Sequence, residues 1–136
     1  MVVRDLALHS LPPSLGDLEA LAERALLTIP DELKRHFRNL VIRVDEFPDE
    51  DVEDEMALES PFDILGLYRG VSLPLKSVAD IRPDADLIFL YRRPILDYWC
   101  ETGEDLSRIV RHVLIHEIGH HFGFSDEDME RLEAEA

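Results

Sequence analysis

The stretch LSRIVRHVLIHEIGHHFG, Leu106 to Gly123, decides how the rest of the chain is read. On a helical wheel at about 100° per residue, Leu106, Val110, Val113, Glu117 and His120 fall on one stripe. Leu114, Ile115, Ile118 and Phe122 cover another side, which is too much apolar circumference for a surface helix. The spacing predicts a central helix that starts at a Thr102/Asp105 capping pair, runs to about Phe122 and stops at Gly123. His116 and His120 stand one turn apart on the same side, so both imidazoles can reach one metal ion. Glu117 is turned by about 60° from His120, where it can meet a water on that ion without taking a ligand position. An unpaired Glu117 on a core-facing stripe would be expensive to bury in a dry core. An open cleft removes that cost.

A third ligand has to come from beyond the helix. The extended pattern is His116-Glu117-x-x-His120-x-x-Gly123-x-x-Asp126. Gly123 lets the chain turn sharply, and Asp126 can fold back towards the histidines. Asp126 also reads as a first-turn acid of a short terminal helix capped by Ser125 and Asp128. Glu127, Asp128 and Glu130 are competing carboxylates. His112, one turn before His116, reads as a surface histidine, with a hydrogen bond to a metal ligand as the alternative. His121 points elsewhere on the wheel, towards packing or a hydrogen bond to a metal ligand, and His9 and His36 have no partners in sequence.

Outward from this helix, the chain alternates helical and extended signals. Ser14 to Ile29 carries Leu15, Leu18, Leu21, Ala22, Ala25, Leu26 and Ile29 at helical spacing, with Ser14 and Asp17 as its capping pair. Pro30 opens a second short helix with Leu33 and Phe37 on one side. Leu40 to Val44 reads as a strand with Leu40, Ile42 and Val44 inward. Ile64 to Leu75 resembles a hairpin with Gly66 and Gly70 at turn or bulge points. Asp86 to Tyr91 is the clearest buried strand. Pro94 opens a helical stretch ending near Cys100, which is expected to be a small core residue.

Composition sets the outer limits. At 136 residues the chain is expected to be one domain, residues 1–136. Its 30 Asp+Glu against 14 Lys+Arg give a net charge of −16, which repels a phosphate backbone and excludes generic nucleic-acid binding. Nine of the acids lie between Asp45 and Glu59, with no Lys or Arg among them, a stretch that reads as a solvated loop or short helix, with a site for a cation or basic partner as the alternative. No run of about 18 apolar residues exists, so no membrane association is expected. The opening MVVRDLALHS has no apolar secretory core, and the single cysteine excludes an internal disulfide. A cytoplasmic location is the expectation.

With these residues in place, His116-Glu-Ile-Gly-His-His-Phe-Gly-Phe-Ser-Asp126 resembles the small bacterial zincin-like metallopeptidases, short acidic proteins with H-E-x-x-H-H-F-G-x-x-D near the C-terminus. The likeness extends upstream through Asp63 to Gly70 and Leu87 to Pro94, roughly the second half of the chain. It implies an α+β fold, a compact zincin-like core with a small mixed or antiparallel sheet packed on the long helix. It also implies one zinc per chain on His116, His120 and Asp126, with Glu117 as catalytic base. The motif is similar to that of metzincins, with two departures. Asp126 stands where most of them place a histidine, and their Met-turn has no counterpart in the ten residues that follow Asp126.

The expected activity is zinc-dependent hydrolysis of peptide bonds in a peptide or small protein. Glu117 would take a proton from the attacking water and pass it to the leaving amine. Tyr68, Tyr91, Arg92, Arg93 and His121 are candidates for a second oxyanion donor. Leu87 to Tyr91 or Leu65 to Arg69 is a candidate strand for pairing with an extended substrate. Two other readings use the same residues: a non-catalytic zinc-binding or interaction protein, and a hydrolase of a non-peptide amide.

Overall fold

The computed structural model describes residues 11–70 and 85–135. Helix α1 (Leu15–Thr28) begins where a capping box closes. The Asp17 N–H donates to the Ser14 hydroxyl at 3.0 Å, and the Ser14 N–H donates to the Asp17 carboxylate at 2.8 Å. Pro30 leads into α2 (Asp31–Lys34), which buries Leu33. Strand β1 (Asn39–Asp45) follows, with Ile42 buried and Leu40 and Val44 packed against the core. The acidic stretch holds α3 (Glu50–Glu55), capped by the Asp49 carboxylate on the Val52 N–H. Then come β2 (Gly66–Arg69), β3 (Ala85–Tyr91), α4 (Arg92–Thr102), α5 (Leu106–His121) and α6 (Asp126–Ala134).

The three strands form one mixed sheet in the order β1-β3-β2. β1 runs parallel to β3, from Asn39 opposite Ala85 to Asp45 opposite Tyr91. β2 runs antiparallel, from Gly66 opposite Leu90 to Arg69 opposite Leu87. The central position of β3 explains its sequence: Ala85, Leu87, Ile88, Leu90 and Tyr91 are all buried, where a half-exposed strand would alternate. This is the α+β arrangement expected, a small mixed sheet on a long helix.

Helix α5 is the hub. It packs on α1, α4 and α6 and against β2 and β3. Ile109, Val110, Val113, Leu114, Ile115 and Ile118 bury almost completely, which is the wide apolar circumference read from the sequence. Arg111 fastens the outer side. Its guanidinium donates to the Thr28 hydroxyl at 3.0 Å and to the carbonyls of Glu133 and Glu135 at 2.9 and 2.8 Å. One side chain thus joins the end of α1 to the end of α6. Arg111→Ala is expected to lower stability by about 1–3 kcal/mol, read as a denaturation midpoint shift at constant slope.

Three local expectations are corrected. Asp105 alone caps α5, accepting the Arg108 N–H at 3.2 Å. Thr102 is instead the last residue of α4, its hydroxyl donating to the Tyr98 carbonyl at 2.9 Å. Cys100 is exposed, because α4 turns Pro94 and Ile95 inward and leaves its other side to water. Gly66 is not a turn but the first residue of β2, whose partner is the distant β3. Residues 71–75 of the expected hairpin lie outside the described residues, as does His9. Among the described residues no helix is long and apolar enough to cross a membrane.

Candidate metal centre

Two features of the α5–α6 corner build the site. Gly123 has φ +81°, a left-handed conformation that reverses the chain directly after α5. Gly119 lies against Met129 so closely that a Cβ there would sit 2.5 Å from the Met129 sulfur. The two helices therefore run antiparallel in close contact. Positions descending α5 meet positions ascending α6: His120 faces Asp126, His116 faces Glu133, and Arg111 reaches Glu133 and Glu135.

The His116 and His120 rings stand at 90° with centroids 5.8 Å apart. Two imidazoles on one tetrahedral zinc have centroids about 5 Å apart, close to this spacing, but among the described residues the three donors that converge within 4.8 Å are His112, His116 and Glu133, not His116, His120 and Asp126. His120 Nε2 lies 3.8 Å from Asp126 Oδ1. Burial, then the neighbouring His112, pushes the His116 imidazole below its usual pKa, which keeps its ligand lone pair free at neutral pH. His120 and Asp126 are largely exposed, so that side of the centre opens to solvent. Two neutral imidazoles and a carboxylate, without a thiolate, suit zinc.

Glu117 occupies the middle of the row Val113–Glu117–His121 along α5. Val113 sits beneath Gly66 of β2, and His121 stacks on Tyr68 of the same strand with ring centroids 4.1 Å apart. The carboxyl of Glu117 is therefore held under an edge strand. Among the described residues no hydrogen bond ties it, and burial alone raises its pKa from 4.5 to about 7. Near neutrality the carboxyl therefore exists in both protonation states.

The other sequence candidates divide cleanly. Tyr68 donates to Asp86 at 2.5 Å, Arg92 donates to Glu46 at 2.9 Å and to the Pro13 carbonyl, and Arg93 lies over the Phe47 ring. His121 packs between Tyr68 and Phe122, as expected of it. His36 gains partners that sequence did not show, stacking on Phe122 with centroids 5.0 Å apart. Among the described residues no hydrogen bond occupies the Tyr91 hydroxyl. Burial, then the charges of Asp45 and Asp49, pushes its pKa up, so it stays a neutral donor. Leu87 to Tyr91 is not a substrate-pairing strand: β3 is already paired on both sides, by β1 and by β2. Leu65 to Arg69 remains the candidate, since β2 is an edge strand of the described sheet.

His112 is not a plain surface histidine. Its ring lies 3.9 Å from that of His116, and its Nδ1 donates to Glu133 Oε1 at 2.5 Å. The second oxygen of Glu133 lies 3.2 Å from His116 Nε2. Sequence reasoning passed over Glu133. The available signal was its place seven residues after Asp126, on the same face of α6.

The sequence profile described as zincin-like metallopeptidase matches residues 37–136. No curated protein matches the chain significantly. Among solved structures, a conserved hypothetical protein from Thermo thermophilus has a similar fold, with a TM-score of 0.51 and 22% identity over 80% of this chain and 94% of that one.

Proposed function

Since the chain belongs to the zincin-like metallopeptidase family, we propose that it is a zinc-dependent peptidase of the cytoplasm, with zinc held by His116, His120 and Asp126 and Glu117 as general base. The observation that supports this reading is the seat of Glu117: a carboxyl without a hydrogen bond among the described residues, its pKa raised to about 7 by burial, beside the imidazole pair and beneath β2, an edge strand of the described sheet. The exposed, unpaired Cys100 suits a reducing compartment.

Zinc, when bound, supplies Lewis-acid polarisation of a water and of the scissile carbonyl. The rest falls to the chain's own residues. Unpaired among the described residues, the outer edge of β2 would offer backbone N–H and C=O groups to an extended peptide running past Glu117. Ionised Glu117 accepts a proton from the attacking water at a carboxylate oxygen and returns it to the leaving amine nitrogen. His116 and His120 stay neutral throughout, as ligands. The half-exposed cleft has no second lobe around it among the described residues, which favours peptides and loose segments as substrates over folded proteins.

The experiment is digestion of an unbiased peptide library by zinc-loaded protein, with Asp126→Ala and Asp126→Asn alongside. Cleavage at defined sites, with zinc affinity and cleavage both reduced in the Asp126 variants, is the expected result. Unchanged zinc affinity in both variants would remove Asp126 from the ligand set, and an intact library would remove the peptidase.

A further inference from the structure

We propose that the chain has a second place for a divalent cation, formed by His112, His116 and Glu133, one helical turn back along α5 from the pair His116/His120. A ligand nitrogen from each histidine and a Glu133 carboxylate oxygen lie within 4.8 Å of one another. The arrangement is directed. The two oxygens of one carboxylate point at two different imidazole nitrogens, at 2.5 Å from His112 Nδ1 and 3.2 Å from His116 Nε2. On one tetrahedral zinc, with bonds near 2.0–2.2 Å, such donors stand about 3.4 Å apart, so the direct His112–Glu133 contact opens by about 1 Å while the wider separations close by a similar amount.

Without an ion the cluster is satisfied by two N–H donors on one carboxylate. With an ion, each imidazole moves its proton to the other ring nitrogen, an exchange of tautomer that leaves the ring neutral. The site also has access and room. A cavity of about 160 Å³ between α4, α5 and α6 is lined by Tyr98, Glu104, Arg108, Ile109, His112 and Glu133, enough for the waters that complete a coordination shell. Arg108 in that wall opposes a cation, and Glu104 offsets it. Glu133 is only partly exposed, and Arg111 holds its backbone carbonyl to α5, so the carboxylate is presented from a fixed point.

A neutral His116 has one lone pair to give. An ion here and an ion on His120 and Asp126 therefore draw on the same ligand, and the two places fill in alternation. The second place does not depend on the peptidase reading, and nothing in that reading requires it.

The test is zinc and cobalt titration of metal-stripped protein by calorimetry, with the visible absorption of cobalt as a report on coordination. His120→Ala removes a ligand of the first centre and leaves the second complete. His120 is largely exposed, so this variant keeps its fold, checked by circular dichroism. His120→Ala is expected to retain binding, and adding His112→Ala or Glu133→Gln to it should weaken that binding at least tenfold. Loss of all binding in His120→Ala, or retained binding that neither added change alters, would overturn the proposal. If His120→Ala and Asp126→Ala leave wild-type affinity unchanged while His112→Ala removes it, the first centre fails and the second stands. The reverse pattern leaves the first centre intact and removes the second.

Discussion

Glu117→Gln is expected to keep zinc and lose about 10²–10⁴-fold in turnover, the range for removing a positioned general base. Glutamine matches the shape of the carboxylate but cannot accept a proton from water. Zinc content is read by elemental analysis and turnover on whichever peptide the library identifies. A variant that cleaves as well as the wild type would remove Glu117 from the mechanism. One that loses zinc along with activity would make the carboxylate a ligand.

The same substitution should stabilise the metal-free protein. Burial raises the Glu117 carboxyl from 4.5 to about 7, so the folded state holds the neutral acid more readily than the unfolded chain does. The sign follows from that order. Below about pH 4.5 both states are protonated and Glu117 carries no ionisation penalty. Between 4.5 and 7 the unfolded chain ionises first, and stability falls as pH rises. Above 7 the whole cost is present, at most about 3 kcal/mol for a shift of this size. Glu117→Gln should therefore raise the melting temperature of metal-free protein at pH 8, with the gain shrinking steadily towards pH 4.5. In the zinc-loaded wild type the ion would lower the Glu117 pKa, and activity should fall about tenfold per pH unit below that lowered value.

Much of this site could be read directly from residue order. A helix fixes where i and i+4 point, so His116 and His120 are a pair before any tertiary contact is known. Asp126 is nearly as local, because one turn at Gly123 brings it back to His120. Glu133 is different. Its meeting with His112 and His116 depends on how two helices lie along each other, which is a packing outcome and not a spacing. The row His112-His116-His120 was visible in the sequence; the carboxylate opposite it was not.

The sheet divides in the same way. Asp86 to Tyr91 is recognisable as a buried strand from its composition, but its place between β1 and β2 depends on pairings across 18 to 46 residues. That place decides which strand can receive a substrate. Cys100 was misplaced for a related reason. Its residue type favours the core, and the orientation of α4, set by Pro94 and Ile95, overrode that preference.

Gly119→Ala sets two known effects against each other. In a helix interior the change from glycine to alanine is worth about 1 kcal/mol in favour of folding. Here the new Cβ would lie 2.5 Å from the Met129 sulfur and 2.8 Å from its Cγ, far inside ordinary contact. Met129 is fully buried, so its thioether could withdraw only by repacking against its neighbours. Overpacking of this kind costs about 1–3 kcal/mol, which outweighs the propensity gain by about 1 kcal/mol at mid-range, so the melting temperature should fall by roughly 3–5 °C. The consequence does not end with stability. Relief of the clash moves α6 away from α5, and α6 carries Asp126 and Glu133, so zinc affinity should fall as well. Met129→Ala isolates the cause. In that background the clash is gone, helix propensity decides alone, and Gly119→Ala should become stabilising. A change of sign between the two backgrounds is the expected result; a stabilising Gly119→Ala in the wild type would show that the helices are not held at this distance.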